Sequence, residues 1–136
     1  NSKMYPGLPE YFDNEGRGLY AYLTGAASWY MLTMITEVFG VKGDLGDLVI
    51  APSLLPEQFD EKGSAGLKLE FARKKFEIIM HNPEKKDLRI EQIRRAVCDE
   101  KVVLEPEPEY GVRLRKSVIE TLDPKKCHRI AVFFQE

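Results

Sequence analysis

Hydrophobic residues along this chain change rhythm near residue 40. Before that point Ala26, Trp29, Tyr30, Thr33 and residues 35–38 follow one another with no clearly polar face. This pattern predicts a helix over residues 25–39, apolar all round and therefore buried on several sides. Thr24 is a good N-cap, because its hydroxyl can accept from a first-turn N–H. Gly40 takes the place just past the helix end, with Val41 ready to make the accompanying apolar contact. A single helix of this kind cannot bury every face against one β-sheet. If the chain stands alone, some apolar face is expected to be exposed.

After residue 40 the period becomes two. Residues 42–46 read as a turn, and residues 47–51 as a short strand stopped by Pro52. Residues 53–59 are irregular because of Pro56, and residues 63–66 form a turn. Leu67, Leu69 and Phe71 alternate with Lys68 and Glu70, and Phe76, Ile78 and Met80 follow in a second strand. Residues 72–75 are then a hairpin turn without its usual Gly. Leu88, Ile90 and Gln92 suggest another strand. Ile93 with Val97, and residues 102–104, suggest two more around Asp99-Glu100. Residues 105–109, Glu-Pro-Glu-Pro-Glu, read as a solvated acidic loop. Val112 and Leu114, with residues 118–122, make a bulged strand, and residues 128–134 the last one. Seven or eight short strands with frequent turns predict an antiparallel sandwich. The fold class expected is mostly β.

Residues 1–18 are an ordered loop in this reading, broken by Pro6, Gly7 and Pro9. Tyr5, Tyr11 and Phe12 stand near carboxylates and glycines. Such a set lines a sugar site, or packs on a missing neighbour, and both readings stay open. The helix start carries its own chemistry. Gly25, Ala26 and Ala27 put almost no bulk on the first turn. Free N–H donors and the positive end of the dipole make an open helix start an anion site. The alternative is a plain cap on a closely packed helix.

Composition narrows the classes. The 136 residues include 20 basic and 22 acidic side chains, for a net charge of −2. That balance gives no reason to propose nucleic acid. Cys98 and Cys127 have no metal or redox spacing, and a reduced, cytoplasmic chain is the expectation. His81 and His128 stand alone, so no metal is expected. No cofactor is implied. A helix starting at Thr24 is about 22 Å long, too short for a membrane span of about 20 apolar residues. The chain opens without Met, on sequence of mid-domain character and with no signal-peptide pattern. It is expected to be a piece of something longer.

Several motifs occur in one order: Tyr5-Pro6-Gly7-Leu8-Pro9-Glu10-Tyr11, Gly16-Arg17-Gly18, Tyr22-Leu23-Thr24-Gly25-Ala26-Ala27-Ser28-Trp29 and Glu37-Val38-Phe39-Gly40. Gly46-Asp47-Leu48-Val49-Ile50-Ala51-Pro52, Glu57-Gln58-Phe59-Asp60 and His81-Asn82-Pro83 follow. Together they resemble the C-terminal end of glycoside hydrolase family 94, the inverting cellobiose- and cellodextrin-type phosphorylases. The likeness is densest over residues 4–60. Arg73 stands where the family commonly has a turn Gly, and Asp99-Glu100 replaces an Asp-Gly turn.

The resemblance implies two units. Residues 1–42 would be the end of an α/α-barrel catalytic domain, whose last helix is the one over residues 25–39. Residues 43–136 would be a jelly-roll-like β-sandwich. The family cleaves a β-glucosidic bond with inorganic phosphate as co-substrate, giving a sugar 1-phosphate. A general-acid Asp protonates the leaving oxygen while phosphate attacks the opposite face. The family's phosphate-binding Thr-Gly pair matches Thr24 and Gly25. Glu10 and Tyr11 match a sugar-facing wall. The general acid and an upstream His lie outside this chain, and Asp13, Asp44 and Asp47 are read as turn residues. The implied partners are a β-linked glucose disaccharide or oligosaccharide, the rest of the barrel, and a second subunit in a homodimer. The chain alone is expected to be inactive. The alternative function is a non-catalytic carbohydrate-binding or structural sandwich.

Overall fold

The computed structural model describes residues 11–20, 25–88, 93–107 and 111–134. The chain is mostly β. A short ribbon, β1 (Tyr11–Phe12) and β2 (Gly18–Tyr20), precedes α1 (Gly25–Thr33). One π turn, Met34–Val38, ends the helix. A four-stranded sheet holds β3 (Val41–Asp44), β4 (Asp47–Ile50), β9 (Glu105–Glu107) and β10 (Gly111–Leu114), in the order β3-β4-β10-β9. A five-stranded sheet holds β5 (Ser64–Phe71), β6 (Lys74–His81), β7 (Arg95–Cys98), β8 (Val102–Val103) and β11 (Cys127–Phe133). Its order is β5-β6-β11-β7-β8. A short helix, α2 (Lys116–Thr121), links β10 to β11.

The two sheets bury their inward side chains in one apolar cluster. Ile50 lies opposite Val112, and Leu48 opposite Leu114. In the larger sheet Ile78 meets Ile130 and Ile130 meets Cys98, while Met80 meets Val132 and Val132 meets Ala96. β4, β6 and β11 alternate, so one face of each is dry and the other partly wet. Leu54, Phe59, Leu88, Leu104, Ile119 and Phe134 complete the core from connections and α2.

Several expected elements differ from those observed. β3 starts at Val41, so the turn expected over residues 42–46 shrinks to Leu45-Gly46, both at positive φ. Val41 and Lys42 thus already pair with Ile50 and Val49. β5 begins at Ser64, inside the turn expected over 63–66. Glu105–Glu107 is an edge strand rather than a loop, because its carboxylates have arginine partners on β10 and beyond it. Residues 118–122 fall mainly in α2, not in a strand. The period-two reading failed there because only Ile119 of α2 is buried. β11 pairs parallel with β6, so the larger sheet is mixed rather than antiparallel. A parallel pair needs a crossover of a dozen or more residues, and β7, β8, β9, β10 and α2 supply it. The strand expected over Leu88, Ile90 and Gln92 has its last two positions outside the described residues. Leu88 itself is buried in a turn.

Turn residues explain the tight hairpins. Ala72 and Arg73, between β5 and β6, both sit at positive φ, as do Asp99 and Glu100 between β7 and β8. A two-residue hairpin loop of the primed type demands this, and side chains other than Gly are strained in it. At the helix end the Phe39 N–H donates to the Met34 carbonyl at 2.9 Å. That bond makes the last turn a π turn rather than the regular helix expected to Phe39. Gly40 follows at φ +66, as the sequence predicts. Its absent Cβ would stand 1.8 Å from the Ala51 carbonyl oxygen.

Candidate functional site

α1 starts at Gly25, and Ala26 and Ala27 fill its first turn with small side chains. Thr24 and Glu10 lie outside the described residues. Tyr11 is exposed in β1, paired in register with Tyr20. The intervening loop is tied by Asp13, whose carboxylate accepts from the Glu15 and Arg17 backbone N–H groups and from Arg17 Nε at 2.6 Å. The backbone N–H of Arg17, and then its side chain, hold the Asp13 carboxyl below its ordinary pKa. Asp13 is a turn residue, as its sequence setting suggests.

The helix expected to be buried contains no buried residue. Trp29 is 70% exposed and Leu32 48%, with Tyr30 and Met31 between them also exposed. Four consecutive helical residues point in directions about 100° apart, so together they look out on every side. Among the described elements α1 packs chiefly against the π turn that follows it. Only past its end do Ile35, Val38 and Phe39 reach the core.

Asp44 and Asp47 do more than make a turn. Arg113 donates to Asp44, Asp47 and Glu107 at 2.8, 2.8 and 2.5 Å. Arg115 reaches Glu105 at 2.5 Å and Asp47 at 3.3 Å. The Lys116 N–H, and then Arg113, hold the Asp47 carboxyl below its usual range. The network ties the β3–β4 hairpin to the β9 edge, and every carboxylate in it is occupied by an arginine.

A concave surface lies on the larger sheet, away from α1. It is a groove of about 630 Å³ on the outward face of the five-stranded sheet. Register builds it in three rows. Lys68, Glu77 and Arg129 lie side by side on β5, β6 and β11. Ala131 and Val97 form the next row. Phe133 and Arg95, side by side on β11 and β7, form the third. Glu77 accepts from Arg129 at 2.8 Å and from Lys68 at 3.4 Å. Arg129, and then Lys68, lower its pKa. The Phe133 ring stacks on His81 with centroids 4.9 Å apart. Sequence reading treated residues 128–134 as one apolar strand. Splitting it by parity, with 129, 131 and 133 outward, was the signal that would have found the groove.

His128 lies inward, behind one end of the groove, and is 4% exposed. Its Nδ1 is 2.6 Å from Asp99 Oδ2 and its Nε2 is 2.9 Å from the Asp123 carbonyl oxygen. It serves the fold and is no ligand. Cys98 is buried and Cys127 exposed, both free. Burial, then the neighbouring Asp99 charge, pushes the Cys98 thiol up to about 11, which keeps it an inert thiol. Among the described residues no cluster of three or more His, Cys, Asp or Glu is placed to hold a metal ion. No helix among them is long and apolar enough to cross a membrane. No known family model matches the chain, and no curated protein matches it.

Proposed function

We propose that this chain is the C-terminal part of an inverting β-glucoside phosphorylase, contributing the start of α1 to its phosphate site. The observation that carries the reading is α1 itself. A helix exposing Trp29, Tyr30, Met31 and Leu32 on every side needs a partner that encloses it, not one flat surface. The last helix of an α/α barrel is enclosed in this way. Its first turn, Gly25 to Ala27, carries only small side chains of its own. Phosphate placed there would meet free donors and the positive end of the helix dipole.

In this reading Thr24 adds a hydroxyl donor beside the Gly25 N–H, and Glu10 and Tyr11 face the sugar. Inorganic phosphate takes the place that water holds in an inverting hydrolase, attacking the anomeric carbon as the glycosidic oxygen is protonated from the other side. The acid for that proton belongs to the upstream part of the enzyme. The β-sheets would form the jelly-roll-like unit that braces the barrel end, with the division near residue 42. The reading places the enzyme among cytoplasmic carbohydrate-degrading transferases.

The test is Thr24→Val in the full-length enzyme. The apparent KM for phosphate should rise at least tenfold while the far-UV spectrum and melting temperature stay put. An unchanged phosphate KM would remove Thr24 from the site. The present chain alone should release no sugar 1-phosphate from cellobiose.

A further inference from the structure

We infer that the groove on the outward face of the five-stranded sheet binds a neutral, hydroxyl-rich ligand, of which a β-linked gluco-oligosaccharide is the form to test. The class is argued from the groove's own chemistry. It lies across β5, β6, β11 and β7, whose facing backbone groups are used up in the ladders between them. An extended peptide adding itself as a strand needs a free edge, so recognition here is by side chains.

Charge removes two further classes. Lys68, Arg95 and Arg129 alternate with Glu77 and Glu100, and Asp99 is turned toward His128. With Asp99 counted, three cations stand against three carboxylates and the lining carries no net charge. That balance gives nothing to select an anion such as a nucleic-acid backbone. A lipid chain is excluded in turn, because covering these ion pairs with hydrocarbon would strip their water without replacing it.

The lining suits a ligand with a flat apolar side and many hydroxyls. The floor is apolar where Ala131 and Val97 sit side by side, and Phe133 extends it. Glu77, already held in place by Arg129 and Lys68, presents a fixed acceptor. Arg95 and Glu100 have no ion-pair partner among the described residues and can turn to a hydroxyl. Charged groups make the stronger hydrogen bonds, and about 630 Å³ is the size of ordinary ligand clefts. Choosing glucose as the sugar unit rests on the proposed phosphorylase reading; the neutral, hydroxyl-rich class does not.

The experiment is a calorimetric and NMR titration of this chain with cellotetraose, in buffer without phosphate. Saturable binding is expected, with amide shifts concentrated at residues 95–97 and 127–133. Arg129→Ala and Glu77→Gln, both on the wet face of the sheet, should each weaken binding at least tenfold while leaving the melting temperature within a few degrees. No saturable binding overturns the inference. So do shifts centred on α1, unchanged affinity in both variants, or tenfold tighter binding of a carboxylated oligosaccharide. The phosphorylase reading is tested separately, by the phosphate KM of the Thr24 variant, so either can fail without the other.

Discussion

His128 on β11 and Asp99 in the β7–β8 turn meet at 2.6 Å, 29 residues apart in sequence. Both partners of the imidazole are acceptors, the Asp99 carboxylate and the Asp123 carbonyl. An N–H directed at each is the arrangement that the protonated ring supplies. Burial opposes that charge, but the bonds from Asp99 and Asp123 outweigh it and raise the His128 pKa. Burial likewise opposes the charge on Asp99. The His128 bond, followed by the Arg129 N–H, outweighs it and lowers the carboxyl.

The sign of the pH dependence follows. A raised histidine stabilises fully below its unfolded pKa of about 6.5 and loses that contribution as pH climbs through the folded value. A lowered carboxylate stabilises above about 3.9 and loses it as pH falls through the folded value. The pair therefore contributes most between about pH 4 and 6.5. The wild-type melting temperature, relative to that of Asp99→Asn, should stand highest across that window and narrow both below and above it. Parallel curves from pH 4 to 9 would show the pair to be thermodynamically silent.

Gly40 is expected to tolerate no side chain. A methyl group there would stand 1.8 Å from the Ala51 carbonyl oxygen, at φ +66. The Gly40 carbonyl also accepts from the Ala51 N–H, so the two segments cannot easily part. Gly40→Ala should cost at least about 3 kcal/mol by backbone displacement and strain. Urea denaturation read at equilibrium, or loss of soluble protein, checks it.

Arg73 offers the opposite experiment. It is exposed and sits at φ +61 in the β5–β6 turn. Relieving left-handed strain with Gly should stabilise by about 1 kcal/mol. The urea midpoint of Arg73→Gly should rise with an unchanged slope. A fall would mean that the Arg73 side chain holds the turn by contacts of its own.

Trp29 is the single tryptophan and reports on α1 directly. In the isolated chain its emission should be that of a water-exposed indole, readily quenched by iodide. Trp29→Ser with Leu32→Ser should leave the melting temperature within about 2 °C, because neither residue belongs to the core. If the proposed phosphorylase reading holds, the same pair should destabilise the full-length enzyme. A shielded, unquenched indole in the isolated chain would contradict an exposed α1.

Local rules carried much of the fold. The alternation of Leu67, Leu69 and Phe71, and of Phe76, Ile78 and Met80, gives the β5–β6 hairpin with its inward and outward faces. The left-handed Gly40 follows from glycine geometry at a helix end, which needs only neighbouring residues. Where the pattern was thin, it misled. Val118, Ile119 and Leu122 suit a strand or a single helical turn, and the buried position of Ile119 decided for the helix.

The sequence by itself determined the mostly β class, the helix before the sheets and the apolar excess on that helix, because each depends on residues within a few places of one another. Only the tertiary structure decided that β11 runs parallel to β6, that Asp99 meets His128, and that Lys68, Glu77 and Arg129 form one row across three strands. Strand order and register join positions far apart in the chain. An alternating pattern says which side of a strand is dry, not which strand lies beside it.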